Sequence, residues 1–165
     1  GEAVVAEGDA TSCLAGIRYL TETDTTYILE YYRNGTGYTE NEMSVFFSFV
    51  DNACDAYVST GNGMLLQKAG NVAAGNYGRP NPMRDYLYFR ASRKEPFDIL
   101  YLTPAITWIL NVDDGSFSLS PEIGYDGVKN LDLRLKASLL KGDRYSEFGE
   151  KPNDWKVEFR ARYYF

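Results

Sequence analysis

The chain closes on WKVEFRARYYF (155–165), which alternates without a break. Trp155, Val157, Phe159, Ala161, Tyr163 and Phe165 share one strand face; Lys156, Glu158, Arg160, Arg162 and Tyr164 share the other. Upstream, Leu131, Leu133, Leu135, Ala137 and Leu139 alternate with Asp132, Arg134, Lys136 and Ser138. Before them, Phe117, Leu119, Pro121, Ile123 and Tyr125 alternate with Ser118, Ser120, Glu122, Gly124 and Asp126. Leu100–Val112 has the same period, with Pro104 inside it predicting a bulge or break, because proline donates nothing to a ladder. RDYLYFRAS (84–92), TTYILEYYR (25–33) and CLAGIRYLT (13–21) add three strands, and EAVVAE (2–7) a short eighth. Tight connections at 21–24, 93–98 and 127–130 interleave with 8–12, the long span 34–83, DDGS (113–116) and 142–154. The pattern predicts an all-β, antiparallel up-and-down meander with one plain end and one elaborated end.

The span 34–83 changes period. Thr39 and Glu42 make a T-x-x-E capping box, and Met43, Phe46, Phe47, Val50, Ala53, Cys54 and Tyr57 follow at helical spacing up to Gly61. Leu65, Leu66, Ala69, Val72 and Ala73 predict a second, shorter helix. The whole of 1–165 reads as one β-barrel domain, or the C-terminal segment of a larger barrel, with a helical insertion at 39–75 in a long loop.

Composition narrows the chemistry. The 165 residues include no histidine, which removes Ser-His and Cys-His nucleophilic sites and the usual neutral-pH base; no carboxylate spacing replaces them, and the expectation is not an enzyme. Net charge is −6, with no basic block, which argues against nucleic acid. Two cysteines without histidine argue against zinc, and no metal or other cofactor is expected. Mean hydropathy is −0.37, too low for a membrane helix but no obstacle to a membrane barrel, where only alternate residues meet lipid. The opening GEAVVAEGD has no basic or apolar leader region, and the expectation is a processed or partial chain.

Alternation leaves two options, since a soluble barrel turns its apolar face inward and an outer-membrane barrel turns it outward. Strands of ten or eleven residues tilted by about 45° rise about 25 Å, the height of a membrane's apolar band. Aromatic residues stand at strand ends on the apolar face (Trp155, Tyr163 and Phe165; Phe117 and Tyr125), as in an interfacial girdle. Termini of soluble proteins tend to fray into water, which makes a Tyr-Tyr-Phe ending unusual there.

With Phe159, Ala161, Tyr163 and Phe165 in register and Phe165 last, the terminal strand resembles the C-terminal signature of bacterial outer-membrane β-barrel proteins, and residues 84–165 look porin-like. The resemblance implies a transmembrane barrel of about eight strands here, outer-membrane location, lipid as a partner and Phe159, Ala161, Tyr163 and Phe165 as the signal read by the barrel assembly machinery. It also implies short turns on the periplasmic side and the helical insertion in an extracellular loop.

With the apolar face toward lipid, the lumen receives Glu30, Arg90, Glu122, Asp126, Asp132, Arg134, Lys136, Lys156, Glu158, Arg160 and Arg162. In a small barrel these form a packed structural network; in a larger one they line an aqueous path and bias permeation. The helix 39–60 is either rim packing or a lid, and a Cys13–Cys54 disulfide would tether it, two free thiols being the alternative. The leading expectation is a porin-like channel passing small solutes of unknown identity. The alternatives are a non-transporting anchor or adhesin that binds through its outer loops and, behind it, a soluble lipocalin-like carrier of a hydrophobic ligand.

Overall fold

The computed structural model describes residues 11–77 and 80–165. Seven strands form one antiparallel sheet, each paired with its neighbours in sequence: β1 (Cys13–Leu20), β2 (Thr25–Arg33), β3 (Asp85–Arg93), β4 (Leu102–Asn111), β5 (Phe117–Val128), β6 (Leu131–Lys141) and β7 (Trp155–Tyr163). The β2–β3 connection carries α1 (Glu40–Thr60), α2 (Met64–Val72) and a π-helical turn, Ala73–Tyr77. The predicted strand at 2–7 lies outside the described residues.

The up-and-down order follows from the period-two runs, and the registers keep the two residue sets on separate faces. Ile123 faces Leu135, which faces Phe159; Glu122 faces Lys136, which faces Glu158. β1 and β7 are the edges of this sheet, and no ladder joins them among the described residues, so the seven described strands do not by themselves show closure into a barrel. In a seven-strand antiparallel meander the first and last strands run the same way, so joining them directly would require a parallel pair.

The break expected at Pro104 is absent. β4 runs through it, with Pro104 opposite Ile123 on β5, while pairing to β3 reaches only Ala105, opposite Ser92, and stops short of Pro104. The missing N–H therefore falls where the β3 ladder has already stopped. The register shift lies instead between Tyr125 and Val128 on β5, around Gly127.

α1 begins where the capping box places it. Thr39 Oγ1 accepts from the Glu42 N–H at 3.3 Å, and Glu42 Oε2 accepts from the Thr39 N–H at 2.9 Å. Gly61, at φ 70°, ends it in the left-handed conformation. The helix packs near one end of the sheet: Met43, Met83 and Tyr86 are buried together, with Tyr32, Tyr38, Phe47 and Ile109 around them. Tyr32, Tyr86 and Ile109 belong to the face that carries the charges.

Candidate functional site

The face bearing the charged residues is the more covered one. On β5, Ser120 is buried and Glu122 half-buried, whereas Pro121, Ile123 and Tyr125 on the other face are exposed. On β6, Asp132 is 8% exposed and Leu135 48%. Phe159, Val157 and Trp155 on β7 and Ile17 and Tyr19 on β1 also lie open. The polarity of the sheet is thus the reverse of a water-soluble sheet, which buries its apolar side.

Within that polar face, β3 to β7 bring most of the predicted site residues together. Glu122 is the bridge: its Oε1 lies 3.5 Å from Arg90 Nη2 and 3.9 Å from Arg134 Nη1. Arg90 Nη1 also donates to Thr107 Oγ1 at 2.8 Å. Arg134 Nε reaches Asp132 Oδ1 at 3.1 Å, and Lys156 Nζ reaches Glu158 Oε1 at 3.0 Å. Arg160 stands directly across from Arg134, and Arg162 across from Asp132. Like charges directly opposite in a sheet repel, so the two carboxylates beside Arg134 offset its pairing with Arg160. A hollow of about 430 Å³ opens here, lined by Glu122, Arg134, Lys136, Glu158, Phe159 and Arg160. Glu30, on β2, faces Gly16 and Tyr88 and stands apart from this network; Asp126 sits near the β5 end, its N–H donating to the Tyr101 carbonyl at 3.1 Å.

A second polar group, at the helix-bearing end, has no counterpart among the predicted site residues. Glu147, 5% exposed, comes from the loop between β6 and β7 and turns inward. Its Oε2 accepts from Tyr86 Oη at 2.6 Å and from Asn111 Nδ2 at 3.1 Å. The Glu147 N–H donates to Asp114 Oδ2 at 2.7 Å, and the Phe148 N–H to Ser116 Oγ at 3.3 Å. Burial holds the Glu147 carboxyl above its ordinary range, an effect that Asp114 adds to and that Tyr86, Lys151 and Asn111 oppose. The same loop grips α1 through Asp51, whose Oδ2 accepts from Tyr145 Oη and Arg144 Nη2, each at 2.7 Å. Those two bonds hold the Asp51 carboxyl below its ordinary value. Among the described residues no buried side-chain polar atom lacks a partner. Tyr86 and Asn111 lie opposite each other at the ends of β3 and β4, a register that only the folded sheet reveals.

The remaining expectations separate. The Cys13–Cys54 bond is not formed: both thiols are free and exposed, Cys13 at the start of edge strand β1 and Cys54 beside buried Ala53 on α1. Phe159, Ala161 and Tyr163 lie opposite Leu135, Leu133 and Leu131. Phe165 lies two residues past the end of β7, its ring edge-on to Tyr163 at 5.2 Å. Among the described residues no cluster of candidate metal ligands occurs. No helix among them is long and apolar enough to cross a membrane, a test that strands do not enter. Comparison with known protein families, with curated proteins and with solved structures finds no match.

Proposed function

We propose that this chain is a porin-like channel element of an outer membrane, its apolar face in lipid and its charged face on an aqueous path for small solutes. One observation carries the reading: the sheet leaves its apolar face uncovered and seats a helix, a folded loop and an ion-pair network on its polar face. Water would penalise that arrangement, since every exposed Ile, Leu and Phe forgoes burial worth about 1.5–3 kcal/mol. Lipid reverses the sign. A lipocalin-like carrier is disfavoured by the same observation, because it needs the apolar residues inside and the arginines out. The assembly machinery enters the proposal through the terminal aromatic strand.

The test is fractionation of cells making the protein, with heat-modifiable migration on a gel as the readout, followed by reconstitution in planar bilayers. Outer-membrane recovery, a heat shift and stepwise conductance are expected. Recovery in a detergent-free soluble fraction would overturn the reading.

The Tyr86–Glu147–Asn111 knot favours one alternative, an anchor whose polar face is stoppered and whose outer loops bind a partner. Heat-modifiable protein without conductance, with or without α1, would select it.

A further inference from the structure

The charges on the polar face are unevenly placed. β6 and β7 present Arg134, Lys136, Lys156, Arg160 and Arg162 against only Asp132 and Glu158, although the chain as a whole carries −6. The nearby carboxylates are already engaged: Glu122 by Arg90 and Arg134, Asp132 by Arg134, Glu158 by Lys156. Among the described residues, Lys136, Arg160 and Arg162 form no ion pair. Two of these three, Lys136 and Arg160, border the 430 Å³ hollow, and Arg162 follows on the same strand face. Guanidinium groups present paired N–H donors whose geometry matches the two oxygens of a phosphate or carboxylate.

We propose that the β6–β7 strip is an oxyanion station, where a small phosphate- or carboxylate-bearing solute exchanges water for Arg160, Arg162 and Lys136 during passage. The assignment rests on the channel reading and adds the class of solute. Arg134, held by two carboxylates, positions the strip rather than binding, and an anion on Arg160 and Arg162 offsets the positive charge that Arg160 meets across the ladder. The open, half-hydrated setting suits a transit site, which must release what it takes.

Full-chain protein in planar bilayers under a potassium chloride gradient tests this, with inorganic phosphate as the added probe. Chloride is expected to permeate several-fold better than potassium, and phosphate to reduce the chloride current saturably. Arg160→Gln with Arg162→Gln should abolish the phosphate effect and bring the permeabilities close together. Arg160→Glu with Arg162→Glu should reverse the preference, with heat-modifiable migration confirming that both variants assemble. A conducting wild type that prefers potassium, keeps its preference in both variants or ignores phosphate overturns the station and leaves the channel standing. Absence of any conductance removes the channel, and the station with it.

Discussion

At the scale of single residues, Glu147 is the side chain on which most depends. Its carboxylate takes both the Tyr86 hydroxyl and an Asn111 amide hydrogen, so Glu147→Ala strands two buried donors. Each stranded group costs about 1–3 kcal/mol, whereas glutamine can still accept from both. Limited proteolysis after Arg144, three residues before Glu147, reads the difference: rapid cleavage is expected in Glu147→Ala and near-native resistance in Glu147→Gln. The two acids of this loop contact also respond to pH with opposite sign. A carboxyl raised by folding binds its proton more tightly in the folded state. The Glu147 contact therefore weakens as pH climbs from the ordinary value of 4.5 through the raised one. Asp51, held below its ordinary 3.8, strengthens the contact above that value and lets go as pH falls through its lowered one. Protease resistance of the wild-type loop should pass through a maximum in mild acid, and Glu147→Gln should remove only the fall on the alkaline side. A flat profile above pH 4.5 would show that Glu147 is not held as described.

At the scale of elements, the seating of α1 turns on a close backbone approach. Tyr38 bridges Met83 in parallel, and a Cβ added at Gly37 would collide with the Met83 carbonyl and the Arg84 backbone. Gly37→Ala should force these segments apart and loosen α1, raising hydrogen exchange at Met43 and Phe47. Gly70 supplies the contrast. It lies in α2 with no atom within 4 Å of an added Cβ, so Gly70→Ala should stabilise that helix by about 0.5–1 kcal/mol. Equal effects at both positions would mean that space around Gly37 is not what limits it. α1 itself was legible in the sequence because its start and stop signals are local: Thr39 with Glu42, and Gly61. The strands were legible for a similar reason, since period two fixes which residues share a face whatever the partner. The fold-back of residues 142–154 was not, because Glu147 is buried only once Tyr86, Asn111 and Asp114, from elsewhere in the chain, converge on it. The same holds for Pro104, harmless only because the β3 ladder ends beside it, and for the two cysteines, whose sides no periodicity relates.

At the scale of the whole molecule, the sheet has two unsolved surfaces, its open edges and its bare apolar face. β1 and β7 are exposed along their entire lengths and run the same way. Antiparallel closure would therefore need an odd number of further strands between them. The apolar face is the sharper test of environment, because lipid and water assign opposite signs to one substitution. Ile123 and Leu135 lie opposite each other near the middle of β5 and β6, 49% and 48% exposed. In water, an arginine at either position would be close to neutral, as exposed substitutions usually are. Facing lipid near the bilayer midplane, it would cost about 2–4 kcal/mol. We expect Ile123→Arg and Leu135→Arg to lower the fraction of heat-modifiable protein folded into bilayers, while Lys136→Gln, one residue along on the opposite face, leaves it unchanged. The comparison needs all three, since general fragility of β6 would lower Lys136→Gln as well. If both arginine variants fold as the parent does, the apolar face is not in lipid. The exposed row from Trp155 to Tyr163 would then have to be covered by another protein surface.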